Sequence, residues 1–156
     1  MEVATFGEIE AEFQRRVEKI VWCTVTTVDR RDRPRSRILH PLWEGSTGWI
    51  ATSKLGLKGK HIAHNPFVSL TYWTPDHEQI HADCKVEWVD DMAEKRRLWE
   101  VYKGTPPPLG YDLAMFFQTV DNPGFSLMKL TPWRIELSAL ADLMSESEPR
   151  VWHQDV

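Results

Sequence analysis

The sequence has few cysteines and no long hydrophobic run. Its 156 residues include two cysteines, Cys23 and Cys84, which form no Cys-x-x-Cys motif and are too few for a disulfide framework. We therefore expect free thiols and a cytoplasmic location. Because no run of about 18 apolar residues occurs, we expect no membrane-spanning helix. The acidic, amphipathic start also lacks the apolar core of a secretory signal.

An excess of positive charge is missing as well. The formal net charge is −4 at pH 7, which argues against a nucleic-acid partner. His61 and His64 are three residues apart, but no carboxylate or cysteine lies at a spacing that would complete a metal site, so we predict none. No pattern of a catalytic nucleophile or of paired carboxylates occurs, which is expected where a cofactor carries the chemistry.

Tryptophan, by contrast, is abundant. Eight tryptophans and a hydrophobic fraction of 42% are enough for the core of a single domain spanning residues 1–156. Tryptophan is also favoured where a flat apolar face meets a ligand or another subunit. We expect Trp73, Trp88 and Trp133 to lie in the core or at a subunit interface.

The hydrophobic periodicity predicts short helices and many short strands. An apolar stripe beginning at Phe6 predicts a helix over about residues 5–18, and Asp91 with Glu94 forms a capping pattern that begins a helix to about Tyr102. Further short helices are predicted at 54–64 and 111–117, and the tail from about residue 145 is predicted to be loose. The predicted strands are 20–29, 35–43, 46–53, 67–73, 79–91, 124–130 and 133–137, with Pro132 separating the last two. Without a parallel βαβ repeat, this order predicts a mainly β fold with short helices, a small antiparallel barrel.

A group of basic and hydroxyl side chains forms the sharpest chemical pattern. Arg35 and Arg37 are two apart on a predicted strand, so both side chains leave the same face. Thr52 and Ser53 end a later strand, and three lysines follow at the start of a short helix: Lys54, Lys58 and Lys60. Helix N-termini, hydroxyls and arginines bind phosphate well, which predicts one phosphate at a strand end. The alternative is a solvated basic face.

Several segments resemble a known family. RSRILHPLW, GWIATSKLGLKGKHIAHNPFVSLTYW, KVEWVDD and the closing LTPWRIEL are similar to the FMN-binding split β-barrel of the pyridoxamine 5′-phosphate oxidase superfamily, which includes flavin and deazaflavin oxidoreductases. The resemblance covers roughly residues 5–140. It implies an antiparallel split β-barrel and a homodimer that binds FMN between its subunits.

The resemblance also implies roles for individual residues. Arg37 resembles the strand arginine of the phosphate site, although the choice of strand register decides between it and Arg35. Lys58 resembles the helix lysine that contacts the phosphate, and the strand-end hydroxyls would assist it. Backbone groups of Ile38 and Leu39 would contact the edge of the isoalloxazine ring. The implied cofactor-binding residues are Arg35, Arg37, Ile38, Leu39, Thr52, Ser53, Lys58 and Lys60.

Three functional classes remain open. The first is an oxidoreductase that uses FMN, or the deazaflavin coenzyme F-420, to transfer hydride to an unidentified small organic molecule. A deazaflavin has a long acidic tail, for which Arg30, Arg31 and Arg33 could provide a basic groove. The second is a non-catalytic flavin or haem carrier of the same fold, and the third is a barrel that binds nucleic acid or protein through its arginines.

The last part of the chain bears on the substrate. The C-terminal ELSALADLMSESEPRVWHQDV does not resemble the phosphate-binding end of true pyridoxamine phosphate oxidases, which argues against that substrate. His40 and His81 could donate a proton near a ring, but we expect both to be hydrogen-bonded strand residues.

Overall fold

Nine strands join in one sheet in the computed structural model, which describes residues 1–145 and 147–156. The strands are β1 (Glu2–Val3), β2 (Cys23–Val28), β3 (Pro34–Leu39), β4 (Leu42–Glu44), β5 (Thr47–Thr52), β6 (Phe67–Trp73), β7 (Glu78–Val89), β8 (Ser126–Ala139) and β9 (Arg150–His153). The helices are α1 (Glu10–Lys19), α2 (Leu57–His64), α3 (Met92–Gly104), α4 (Ala114–Phe117) and α5 (Asp142–Ser145), and a 3-10 turn at Phe6–Glu8 precedes α1.

Strand β8 organises the sheet. It pairs with β7 along its length, with β5 near its beginning and with β9 near its end. The main path runs β1-β9-β8-β7-β6-β2-β3, and β4 attaches to β5. The fold is therefore the mainly β split barrel with short helices that the sequence predicted. The sheet is mixed rather than purely antiparallel, because β1 and β9 run parallel.

The structure corrects three boundaries. Pro132 does not divide two strands, because a β-bulge accommodates it: Asp83 pairs with Arg134 and Cys84 with Pro132, so Trp133 is the extra residue of β8. The strand predicted at 35–43 is two strands, β3 and β4, separated at His40 and Pro41. The predicted loose tail is wrong for Arg150–His153, which form β9.

Two hydrophobic clusters fill the interior. In the larger one, the apolar stripe of α1, including Phe13 and Val17, packs against the inner faces of the strands. In the smaller one, Leu98 and Tyr102 of α3 pack over β5, and the Tyr102 hydroxyl donates a hydrogen bond to the carbonyl of Trp49 at 2.7 Å. Each large side chain buried this way contributes about 1.5–3 kcal/mol, so both helices are held to the sheet by their apolar faces.

Three further features complete the description of the fold. Strand β3 ends the path of the sheet, and within the described residues it pairs with β2 alone, so its other edge is open. Cys23 and Cys84 are buried, free thiols. Among the described helices, none is both long enough and apolar enough to cross a membrane.

Candidate functional site

The turn between β2 and β3 is shaped by one carboxylate. Asp29 accepts hydrogen bonds from the backbone N–H groups of Arg31 and Arg33, at 2.8 and 3.1 Å, and from Nε of Arg33 at 2.9 Å. The hydrogen bonds from the Arg33 side chain, followed by those from the backbone, hold the pKa of Asp29 well below its usual value. The turn is therefore fixed, and it leaves Arg30 and Arg31 exposed.

Strand β3 presents its two arginines on the inward face of the hairpin. Arg35 lies opposite Thr27 and Arg37 opposite Val25. Nη1 of Arg37 donates to the hydroxyl of Thr27 at 2.8 Å and to the carbonyl of Val25 at 3.2 Å. Arg37 is half-buried, whereas Arg35 is exposed. The hydrogen bonds hold the Arg37 guanidinium against β2, where it faces the start of α2.

Lys58 of α2 lies near Arg37 and forms a cationic pair with it. Burial and the nearby Arg37 charge both lower the pKa of Lys58, and burial with the neighbouring Arg35 charge lowers the pKa of Arg37. In the described part of the chain, the carboxylates of this region pair elsewhere, Asp29 with Arg33 and Asp90 with Lys54. Two half-buried cations without a carboxylate partner favour a bound anion.

The link from β5 to α2 is tight. The Ser53 hydroxyl accepts a hydrogen bond from the Leu55 N–H at 3.3 Å, and the Lys54 N–H donates to the Ser126 hydroxyl at 3.1 Å. A Cβ atom on Gly59 would lie 1.8 Å from the Lys54 carbonyl oxygen, so only glycine fits there. This packing brings the first turn of α2, with Lys58, against the end of β5.

The predicted site residues fall into four places. Arg37 and Lys58 form the cationic pair, while Arg35 and Lys60 line an adjacent groove. Thr52 is buried and Ser53 half-buried at the end of β5. Ile38 is exposed on the outer face of β3 and Leu39 lies opposite Cys23, facing inward. Because alternate residues of an edge strand direct N–H and C=O groups outward, one of Ile38 and Leu39 offers its backbone at the open edge.

The groove lies between the β2–β3 turn and one face of α2. It has a volume of about 590 Å³ and is lined by Asp29, Arg30, Arg31, Arg33, Arg35, Leu57, Lys60 and His61. His61 is buried, and its Nδ1 lies 2.8 Å from the Thr27 hydroxyl. Sequence reasoning weighed His61 only as a metal ligand and did not consider Thr27. Within the described residues, no group of three potential metal ligands assembles.

A row of aromatic rings begins at the other end of β3. The ring centroids are 5.1 Å apart for Trp22 and His40, 5.0 Å for His40 and Tyr111, and 5.8 Å for Tyr111 and Phe116. His40 is held by a 3.0 Å hydrogen bond between Nε2 and the Leu109 carbonyl, and burial lowers its pKa. Its ring therefore stays neutral as part of the row.

The two ends of β3 differ in chemistry. Arg37 and His40 are three residues apart, which is about 10 Å along a strand. One end suits an anion and the other suits a flat ring, with the open backbone edge between them. His81, by contrast, is a strand residue that contacts Thr71 and Gln79, at 3.4 and 3.0 Å, as expected.

The donor set fits the phosphate of a flavin mononucleotide. The Arg37 guanidinium lies near the ammonium of Lys58, which belongs to the first turn of an eight-residue helix. Gly59, which lacks a side chain, lies in the same helical turn. The residues present therefore fit the phosphate end of such a cofactor. The separation of about 10 Å between Arg37 and His40 suits an elongated molecule with its phosphate at one end and its ring at the other.

Comparison with known proteins agrees with this fold. The family model described as pyridoxamine 5′-phosphate oxidase matches residues 9–139. No curated protein sequence matches the chain.

Three solved structures illustrate the range of similar folds. A pyridoxamine 5′-phosphate oxidase-related, FMN-binding protein from Nostoc punctiforme is 15% identical, with a TM-score of 0.65 and complete coverage of both chains. An F-420 reductase is 18% identical, with a TM-score of 0.58 and coverage of 78% of this chain and 94% of its own. The haem storage protein HutZ from Vibrio cholerae is 14% identical, with a TM-score of 0.60 and coverage of 80% and 89%. Identities this low establish the fold alone.

Proposed function

Because the chain belongs to the pyridoxamine 5′-phosphate oxidase family, we propose that it binds FMN or the deazaflavin coenzyme F-420 and acts as an oxidoreductase. The observation that carries this proposal is the half-buried pair of Arg37 and Lys58, which has no carboxylate partner in the described residues. A phosphate fits such a pair, because charge-assisted hydrogen bonds offset the cost of desolvating both charges.

The residues around β3 then divide the binding of the cofactor between them. Arg37 and Lys58 hold the phosphate, with the hydroxyls of Thr52 and Ser53 at the adjacent strand end. The open backbone edge at Ile38 and Leu39 orients the ring system. When bound, the cofactor supplies the hydride chemistry, while the protein provides binding, orientation and exclusion of water.

The aromatic row indicates the class of substrate. Trp22 and Phe116 are exposed at its two ends, and the neutral His40 lies within it. Such a wall favours stacking with a flat, largely uncharged ring over recognition of an anion. We therefore expect a small organic hydride acceptor of the quinone kind, and no useful oxidation of pyridoxamine phosphate.

A homodimer is the second part of the proposal. On the outer face of the sheet, Ile38, Phe67 and Trp73 are 58%, 46% and 56% exposed. Large apolar side chains this exposed on one sheet face favour burial against a second copy. Light scattering should give a dimer of the 18.2 kDa chain, and Trp73→Glu combined with Phe67→Glu should shift it to a monomer. A monomeric parent protein at micromolar concentration would contradict this part.

The cofactor is tested first. The absorbance spectrum of the purified protein, with mass analysis of the molecule released on denaturation, identifies what is bound. A flavin or deazaflavin supports the proposal. Haem would instead support a carrier, for which the haem storage protein HutZ is a precedent.

The binding site is tested with matched variants. Arg37→Gln and Lys58→Gln should each weaken cofactor binding by about 10- to 100-fold, because a charge-assisted hydrogen bond contributes roughly 1.5–3 kcal/mol. Lys103→Gln, an exposed lysine of α3, is the control. Unchanged affinity in both site variants would show that the cofactor binds elsewhere.

Turnover is tested separately. Reduced cofactor on the protein should be reoxidised without oxygen by quinone-like acceptors, whereas pyridoxamine phosphate should drive no oxygen consumption. A protein that binds cofactor tightly but never exchanges hydride would be a carrier rather than an enzyme.

A further inference from the structure

The hydroxyl of Tyr111 is a free hydrogen-bond donor in the middle of the aromatic row. Among residues 1–145 and 147–156, no group forms a hydrogen bond with it, and the side chain is half-buried. The hydroxyl is not enclosed, because the enclosed side-chain atoms without a partner in that part of the chain belong to Arg16, Trp49 and Trp133. It is therefore accessible to a ligand that stacks on the row.

The loop between α3 and α4, residues 105–113, holds Tyr111 in place. A Cβ atom on Gly110 would lie 2.2 Å from the carbonyl oxygen of Thr105 and 2.5 Å from that of Tyr102, so the loop packs directly on the end of α3. The Tyr111 ring then packs edge-on against the Tyr102 ring, with centroids 5.3 Å apart. Because the donor is ordered before a ligand arrives, little entropy is lost when it forms a hydrogen bond.

The other side chains of the row are poorer donors. The Leu109 carbonyl only accepts, so Nε2 of His40 carries a proton that is already donated to it. Nδ1 of this neutral ring therefore has a lone pair and no proton. Trp22 has an N–H group, but its side chain is 56% exposed and water competes for that donor. Phe116 has no polar atom, so the Tyr111 hydroxyl is the best donor that the row offers.

The Tyr111 hydroxyl keeps its proton. Burial raises its pKa to about 12, so the phenol is neutral over the physiological range. A neutral phenol donates a hydrogen bond to a carbonyl oxygen, and the bond becomes stronger as that oxygen gains negative charge. In half-buried surroundings such a bond is also stronger than the same bond in water.

We propose that Tyr111 is a catalytic residue that donates a hydrogen bond to the carbonyl oxygen of a quinone-like acceptor stacked on the aromatic row. The inference rests on the proposed function, which supplies the hydride. Hydride bonds to one carbonyl oxygen of the quinone, and its electron pair moves through the ring to the opposite carbonyl oxygen. That oxygen then takes a proton from water, so the quinone gains the two electrons that the reduced cofactor loses. Tyr111 stabilises the negative charge while it develops and keeps its own proton.

The proposal narrows the class of substrate. Stacking alone would accept any flat ring, whereas a donor fixed in the row selects rings that carry a carbonyl oxygen.

Tyr111→Phe tests this role, because it removes only the hydroxyl. With reduced FMN on the protein, we expect kcat for naphthoquinone to fall about 10- to 100-fold, since a hydrogen bond to a charged oxygen is lost. Reoxidation by ferricyanide, which takes single electrons and has no carbonyl group, should stay within about twofold of the parent. Lys103→Gln, on the exposed side of α3, is the control for both reactions.

Binding without turnover distinguishes a hydrogen bond from a packing role. Quenching of tryptophan fluorescence gives affinities for naphthoquinone and for naphthalene, which has the same two rings and no oxygen. Tyr111→Phe should weaken the binding of naphthoquinone about three- to tenfold and leave that of naphthalene unchanged. Phe116→Leu, which removes a ring of the row and no hydrogen bond, should weaken the binding of both probes alike.

The carbonyl stretch of bound naphthoquinone reports the hydrogen bond directly. Infrared difference spectra should show this stretch at a lower frequency on the parent protein than on Tyr111→Phe. Chemical denaturation of Tyr111→Phe should match that of the parent, because the hydroxyl has no partner in the described part of the chain.

The outcomes that overturn the inference differ from those that overturn the proposed function. Equal turnover of naphthoquinone by the parent and by Tyr111→Phe, or an identical carbonyl stretch on both, overturns the role of Tyr111. Equal losses of affinity for naphthoquinone and naphthalene overturn it as well, since Tyr111 would then only shape the wall. A parent protein that binds no flavin or deazaflavin, or that never exchanges hydride, contradicts the proposed function instead.

Discussion

Nε1 of Trp43 donates a hydrogen bond of 2.9 Å to the Tyr72 hydroxyl, which joins β4 to β6 inside the barrel. Tyr72 is fully buried, and that burial raises the pKa of its hydroxyl well above its usual value. The hydroxyl therefore remains protonated over the whole physiological range and serves as a permanent acceptor for the indole.

Removing that acceptor should destabilise the protein. Tyr72→Phe leaves the indole N–H of Trp43 without its partner, which should lower the free energy of unfolding by about 1–3 kcal/mol. Chemical denaturation checks the value. Lys103→Gln, on the exposed side of α3, is the control and should change stability little.

Gly59 should not tolerate a side chain. Gly59→Ala places a Cβ 1.8 Å from the Lys54 carbonyl oxygen, so α2 must shift away from β5. We expect the free energy of unfolding to fall by about 1–3 kcal/mol. Flavin binding should also weaken, because Lys58 moves with the helix. Gly56→Ala, where nothing lies within 4 Å, should leave both denaturation and titration nearly unchanged.

Stability in acid should depend on Glu78. The hydrogen bond from Arg15, with help from Lys19, lowers the pKa of Glu78 from 4.5 to about 2. Because the folded pKa lies below the unfolded one, this contribution is complete above about pH 4.5 and is lost as the pH falls toward 2.

The comparison of Glu78→Gln with the parent tests that pH window. The variant should melt at a lower temperature at pH 7, and the difference should shrink between pH 4.5 and pH 2. Glu87→Gln, on an exposed part of β7, is the control. A difference that is constant with pH would show that the carboxylate charge of Glu78 contributes nothing to stability.

The last strand should be essential. Trp152 of β9 is buried against the core, and its ring centroid lies 5.4 Å from that of Phe6. Trp152→Ala should lower the free energy of unfolding by about 3–5 kcal/mol. His153→Ala, at the exposed next position, should have a small effect in the same denaturation experiment.

Local patterns in the sequence predicted local structure well. The strand at Phe67–Trp73 was predicted with its observed bounds, and Asp91 caps α3 by accepting from the N–H groups of Ala93 and Glu94. The second half of the capping pattern was wrong, because the Glu94 side chain pairs with Arg97 instead. The Glu94 carboxylate forms an ion pair with Arg97, one turn along the helix, which is a stronger interaction than a hydrogen bond to the backbone.

Features that depend on distant partners were not predictable. Pro132 was interpreted as a break because a proline has no N–H, and only the register against β7 shows the bulge that accommodates it. Residues 150–153 are too polar to indicate a strand until β8 and β1 flank them. Likewise, nothing in the sequence shows that Thr27 and His61, 34 positions apart, share a hydrogen bond.

Strand β3 ends the sheet, and its backbone edge is open. An open edge is a template for pairing with other chains, and natural sheets commonly guard such edges with charge. Arg35 and Arg37 therefore also oppose aggregation, because their positive charges repel the same edge of another molecule. Variants in which Arg35 or Arg37 is neutral should therefore aggregate more readily than the parent protein. For each of them, aggregation should be faster without ligand than with a ligand that covers the edge of β3.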